Sequence, residues 1–183
     1  MSTREFDPLR LDVAVFAERA GVLEGTWALT ELARVAESAA PDGAMSAGDE
    51  VRWSAQGEAR PVRGGAPEIR LHLRAEARVP LECQRCLRPV MVPLRVEREF
   101  LFVPGEDAAA ALDADSEEDV LALTRALDLR ELIEDELLLA MPIVPRHDVC
   151  PEPLPAPAPD PAAGEAPPHP FAALAALRRG KPN

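Results

Sequence analysis

The sequence predicts an α+β domain built on an antiparallel β-sheet, either open or closed like a barrel, with packed helices and a tethered C-terminal helix. Two stretches, 68–79 and 89–103, alternate apolar and polar residues with the period of two that is typical of half-buried strands. A third, 128–142, repeats apolar residues at helical spacing up to Pro142. Strands and a long helix in one chain of 183 residues indicate a single mixed core.

The other predicted elements have weaker signals. Residues 49–57 alternate weakly and predict a further strand, and residues 26–39 show near-helical spacing of apolar side chains. The acidic, alanine-rich stretch 106–119 predicts a mobile surface loop. In the long helix, Asp128 is expected to be the N-cap, with Glu131 at the capping-box position.

Composition divides the chain into three parts. Residues 1–150 are expected to form the α+β domain. Residues 151–170 contain nine prolines and predict a semi-rigid spacer. Residues 171–183 predict a short amphipathic helix on which Phe171, Leu174 and Leu177 share one side, which is the form of a partner-docking element. The alternative is that this helix packs back on its own domain.

Charge and hydropathy set the expected compartment. No apolar run reaches the roughly 20 residues that cross a bilayer, and the N-terminus carries charge throughout rather than an apolar signal region. We therefore expect a cytoplasmic protein that does not contact membranes. The net charge is −12, but residues 52–98 hold ten arginines against five glutamates, so a local basic face remains compatible with nucleic acid.

The cysteines predict a metal site. Cys83 and Cys86 form a Cys-x-x-Cys pair between two predicted strands, and His147 and Cys150 have the same spacing. Three thiolates and one imidazole are a ligand set typical of structural zinc, which would be closed to a catalytic water. Because the fold must join the two distant pairs, a cysteine cluster without metal stays open as an alternative. A thioredoxin-type redox pair is less favoured, since the first cysteine does not begin a helix.

Arginines on the polar strand faces predict contact with RNA phosphates. Arg70, Arg74 and Arg78 recur every fourth residue on one face of a strand. The full set of candidate RNA-binding residues is Arg70, Arg74, Arg78, Arg85, Arg88 and Arg95. The alternative is that the acidic second half of the chain pairs with these arginines within the protein.

Motifs of enzymes are not evident in the sequence. It contains no nucleophile elbow, phosphate-binding loop or dinucleotide fingerprint, and only three histidines. We therefore predict no catalytic residues, no small-molecule substrate and a protein that is not an enzyme.

Three stretches, "LECQRCLRPV", "ELIEDELLLAMPIVPRHD" followed by Cys150, and "HPFAALAALRR", occur in this order. Together they resemble the YceD family, the large ribosomal RNA subunit accumulation proteins. The resemblance implies a non-enzymatic role in the synthesis, processing or stability of 23S ribosomal RNA during large-subunit assembly. The expected partner is then precursor 23S RNA or a large-subunit ribosomal protein. The alternative is a zinc-stapled adaptor that binds a basic ribosomal protein without touching RNA.

Overall fold

The computed structural model describes residues 6–43, 45 and 48–152. Its contacts divide the chain into a unit Met1–Cys150 and a unit Pro151–Asn183. Of the second unit only the first two residues are described, so most of the predicted spacer 151–170 and all of the predicted docking helix 171–183 lie outside the described residues.

The protein is α+β, as the sequence predicts. In chain order the strands are β1 (Val22–Ala28), β2 (Glu50–Arg60), β3 (Glu68–Glu82), β4 (Pro89–Val103) and β5 (Asp119–Ala122). The helices are α1 (Val13–Glu18), α2 (Ala33–Glu37), α3 (Glu106–Asp115) and α4 (Leu129–Leu139), and a 3-10 turn spans Leu29–Glu31.

The five strands form one sheet in the order β1-β2-β3-β4-β5. The first four are antiparallel, whereas β5 is parallel to β4. The sheet is open, so the barrel form is not adopted. Its two longest strands, β3 and β4, pair from Glu82 and Pro89 at one end to Ile69 and Phe102 at the other.

The core lies on one face of this sheet, called here the inner face. Leu71, Leu73 and Val79 point inward from β3 and are fully buried, as the alternation predicts. Helices α1 and α4 cover them with Phe16, Ile133 and Leu137. Gly57 lets α1 approach β2 closely, because a Cβ at this position would lie 2.8 Å from the Ala17 Cα.

Helix α4 begins as predicted, because the Asp128 carboxylate accepts hydrogen bonds from the backbone N–H groups of Arg130 and Glu131. Two other predictions are wrong. The helix predicted over 26–39 is reduced to the five residues of α2, since Trp27 belongs to β1 and stacks on Trp53 of β2 at 4.4 Å between ring centroids. Strand pairing thus overrides the helical spacing.

The acidic loop predicted over 106–119 is instead α3 followed by the start of β5. Alanine is the best helix former, which favours α3 despite its weak amphipathic pattern. Ala109 packs with Leu101 and Val120 in a small second apolar cluster on the outer face of the sheet, opposite the main core. This cluster fixes α3 and β5 at the end of β4 that lies far from the Cys-x-x-Cys loop.

Candidate functional site

The loop that joins β3 to β4 carries the Cys-x-x-Cys pair and is called here the knuckle, residues 83–88. It is closed by two backbone hydrogen bonds, from Cys83 N–H to the Arg88 carbonyl at 2.9 Å and from Leu87 N–H to the Cys83 carbonyl at 2.8 Å. Leu87 adopts a left-handed backbone with φ of 59°. The tight turn directs both cysteine side chains toward the same side of the loop.

The segment after α4 returns to the knuckle. The N–H of Gln84 donates to the Pro145 carbonyl at 2.9 Å. The Nε2–H of His147 donates to the Pro89 carbonyl at 3.1 Å. These two bonds hold the chain after Pro145 against the tip of the β3–β4 hairpin, which brings the two distant halves of the predicted ligand set together.

All four predicted ligands, Cys83, Cys86, His147 and Cys150, meet in one cluster whose ligand atoms lie within 4.8 Å of one another. The Cys86 Sγ and the His147 Nδ1 are 3.5 Å apart. A tetrahedral zinc ion with Zn–S bonds of about 2.3 Å separates its ligand atoms by about 3.8 Å. The cluster therefore needs a contraction of at most about 1 Å to hold such an ion.

His147 is oriented for metal binding. Because a carbonyl oxygen can only accept, the bond to Pro89 assigns the proton to Nε2 and leaves the lone pair of Nδ1 facing the thiols. Metal-bound histidines commonly donate their other ring N–H to a carbonyl in this way. The hydrogen bond thus selects the neutral tautomer that a ligand requires.

The protonation states of the thiols also suit a cation. Burial raises the pKa of Cys83, but the backbone amides of His147, Arg85 and Cys86 outweigh it and lower that pKa to about 5. Burial, together with the neighbouring Cys86 and Cys83, raises the pKa of Cys150. A thiolate therefore forms readily at Cys83, whereas loss of the proton from Cys150 is disfavoured unless a positive ion is present. All three cysteines are free thiols.

Arg70, the first residue of the predicted RNA-binding set, is enclosed. Only 6 % of the surface of Arg70 is exposed, and its guanidinium donates to Glu68, Glu99 and Glu118 at 3.0, 2.6 and 2.9 Å. The hydrogen bond that Arg70 donates to Glu118 is the main reason that the pKa of Arg70 is raised. Glu118 belongs to the acidic half of the chain, so internal pairing neutralises this arginine.

The other predicted arginines are exposed. Arg74 donates to Glu97 on β4 at 2.8 Å, and Arg95 lies 3.8 Å from Glu76. Arg78 makes no ion pair within the described part of the chain, nor does Arg85 of the knuckle, and Arg88 is the last residue of that loop. Pairing on the outer face thus loosens from Arg70, near β5, through Arg74 to Arg95.

The structure adds residues that the sequence did not single out. Arg52 of β2 lies directly opposite Glu76 of β3 and therefore on the same outer face. Its signal was the weak alternation of residues 49–57. Glu134 of α4 accepts from the backbone N–H of Arg34 at 2.6 Å and from its Nε at 3.1 Å. No sequence pattern links Arg34 to a carboxylate 100 residues away.

The predicted docking residues Phe171, Leu174 and Leu177 lie outside the described residues. Among the described helices, none combines the length and the apolar character that crossing a membrane requires.

Comparison with known proteins identifies relatives of the chain. A curated protein of Haemophilus influenzae, named "Large ribosomal RNA subunit accumulation protein YceD", is 39% identical over 69 residues. The alignment covers 38% of this chain and 40% of that relative, so it spans less than half of the relative's length. No solved structure matches. The family model described as "Large ribosomal RNA subunit accumulation protein YceD" matches residues 71–178, which is more than half of the chain, and the chain therefore belongs to the YceD family.

Proposed function

We propose that this chain supports the accumulation of 23S ribosomal RNA during assembly of the large ribosomal subunit, as a factor without catalytic activity. The observation that supports the proposal is the family match, which begins in β3 and includes the knuckle, α4 and the segment after α4 that returns to the knuckle. The family and its relative are both named for accumulation of large-subunit ribosomal RNA. Ribosome assembly in the cytoplasm is the setting that this role requires.

We infer that the four clustered ligands hold one structural zinc ion. Zinc suits this set of donors because it binds thiolate and imidazole ligands well and takes four of them in tetrahedral geometry. Four protein ligands fill the coordination sphere and leave no position for a reactive water. The ion would link the hairpin tip to the segment after α4. Such a structural ion supports a binding role for the protein rather than a catalytic one.

We propose that the protein contacts precursor RNA directly through the exposed arginines Arg74, Arg78, Arg85, Arg88 and Arg95. Arginine is suited to phosphate recognition because its planar guanidinium can donate two parallel hydrogen bonds. Arg70, which belonged to the predicted set, would support the sheet rather than reach RNA, because three carboxylates occupy its donors. The docking residues Phe171, Leu174 and Leu177 remain a proposed contact with a protein of the assembling subunit.

A second candidate role follows from the acidic end of the molecule. Helix α3 and the residues up to the start of β5 carry exposed carboxylates at the end of the sheet that lies far from the knuckle: Glu106, Asp107, Asp113, Asp115, Glu117, Glu118 and Asp119. This end could bind a basic ribosomal protein without any RNA contact. The chain would then be an adaptor stapled by zinc.

Crosslinking in living cells distinguishes the two roles. The tagged chain is crosslinked by ultraviolet light, purified under denaturing conditions, and the attached RNA is sequenced. Direct contact predicts enrichment of 23S precursor over 16S precursor. If no RNA is attached while a basic large-subunit protein copurifies from native extracts, the direct-contact proposal is wrong and the adaptor is favoured.

A further inference from the structure

The outer face of the sheet changes in character along its strands. Near β5, Arg70 is bound by three carboxylates, and in the middle Arg74 donates twice to Glu97 at 3.1 and 2.8 Å. Nearer the knuckle, the closest approach of Arg95 to Glu76 is 3.8 Å, and the side chains of this pair are 82% and 59% exposed. Such exposed pairs contribute little to stability. The donors of Arg95 are therefore available to a ligand.

Strand register groups three arginines at this end. Arg52 on β2, Glu76 on β3 and Arg95 on β4 form one row across the sheet. Because neighbouring strands lie about 4.8 Å apart, the α-carbons of the two arginines are separated by about 10 Å. Arg78 lies two residues along β3 from Glu76 and therefore also faces outward. The three arginines lie around the carboxylate of Glu76.

The same residues line a concavity of about 290 Å³ in the outer face. Arg52, Arg78 and Arg95 share its wall with Thr26, Glu50 and Glu76. Neither Arg52 nor Arg78 makes an ion pair within the described ranges.

We propose that this concavity is a site for the phosphodiester backbone of RNA, held by Arg52, Arg78 and Arg95. The inference deepens, and rests on, the proposed direct contact with RNA. Stacking of bases is not expected, because no Phe or Trp occupies an outward position on β1–β4. The site therefore binds phosphates without reading sequence. The family match begins at residue 71, so Arg52 lies before the matched region.

The test compares two triple variants of the full chain with the same change in charge. The first replaces Arg52, Arg78 and Arg95 by Gln. The second replaces Arg10, Arg63 and Arg125, which are exposed elsewhere on the molecule. Binding of fluorescein-labelled oligo-uridine and oligo-adenosine of about 20 nucleotides is measured by anisotropy across a salt series. Thermal melting confirms that both variants fold.

The proposal predicts that the first variant loses about tenfold or more in affinity at low salt and that its slope of log K against log salt falls by about 2. The second variant keeps both values near those of the wild type. Glu76→Gln is expected to tighten binding about threefold by removing the central negative charge, whereas Glu18→Gln on α1 is not.

Three results would count against the proposal, and they differ in what else they affect. If the wild type binds RNA with steep salt dependence but both triple variants weaken equally, this site is wrong while direct RNA contact stands. If the wild type binds neither oligonucleotide, the site and the direct contact both fail. A strong preference for one of the two oligonucleotides would contradict the sequence-independent form of the site.

Discussion

The Sγ of Cys86 and the Nδ1 of His147 lie 3.5 Å apart although 61 positions separate the two residues in the sequence. The chain between them forms β4, α3, β5 and α4. The contact therefore depends on the whole second half of the domain. A metal ion at this point would join the tip of the longest hairpin to the segment that leads out of the domain.

The metal content of the purified protein tests whether an ion links these two segments. Protein purified without added zinc is expected to contain about one zinc per chain by mass spectrometry of the metal. Cys86→Ser and His147→Ala should each lower the content severalfold, because a site with three ligands binds zinc much more weakly. His72→Ala, on the outer face, serves as the control and should keep the full equivalent. Wild-type protein that is well folded and metal-free would show that the cluster is not a zinc site.

The sequence predicts the elements whose signals are local. The alternation of Leu71 and Leu73 with Arg74 marks β3, and the Asp128 cap marks the start of α4. The secondary structure of the segment around Trp27 depends instead on stacking against Trp53. From the sequence alone, strand β1 could therefore not be distinguished from a helix. Such tertiary contacts override local propensity.

In the candidate site, too, some features have a local signal in the sequence and others depend on tertiary contacts. Matching spacing in Cys83–Cys86 and His147–Cys150 was enough to predict that these four residues lie together, as they do in the structure. The pairing of Arg70 could not be predicted, because Glu118 reaches it only where β5 lies parallel to β4. Regularly spaced arginines in the sequence therefore do not by themselves predict a basic surface.

Glu134 is expected to be essential for docking α2 against α4. Its Oε1 accepts from the backbone N–H groups of Arg34 and Val35 at 2.6 and 3.3 Å, which caps the first turn of α2 from another helix. Glu134→Gln should lower the free energy of unfolding by about 1–3 kcal/mol in urea, because a buried charged acceptor is replaced by a neutral amide. Glu18→Gln on α1 is the matched control and should change it by less than about 0.5 kcal/mol. Equal effects of the two changes would mean that the cap contributes nothing.

Arg70 is expected to be structural. Arg70→Gln leaves Glu68, Glu99 and Glu118 facing one another and should lower the free energy of unfolding by roughly 2–4 kcal/mol. Its RNA affinity, measured where the variant is folded, should stay within about threefold of the wild type. Adding Glu118→Gln should recover part of the lost stability, since it removes one of the repelling charges. An RNA-binding defect as large as that of the Arg52, Arg78 and Arg95 variant would contradict this assignment.

Leu87 carries backbone strain in the knuckle. Its φ of 59° lies in the left-handed region, and its residue is 65% exposed, so little packing depends on the side chain. Leu87→Gly is expected to stabilise the protein by about 0.5–1 kcal/mol, because glycine adopts this backbone conformation without strain. Leu87→Ala keeps the strain and should give no gain. Thermal melting of the three proteins measures the difference, and a Leu87→Gly protein that melts no higher than the wild type would contradict the prediction.

The ratio of mature 23S to 16S ribosomal RNA in cells tests the proposed role most directly. Deletion of the gene for this chain should lower the ratio, and the wild-type chain should restore it when supplied on a plasmid. The Cys86→Ser chain and the chain with Arg52, Arg78 and Arg95 replaced by Gln should restore it poorly at equal protein level, while the Arg10, Arg63 and Arg125 control restores it fully. An unchanged ratio after deletion would contradict the account.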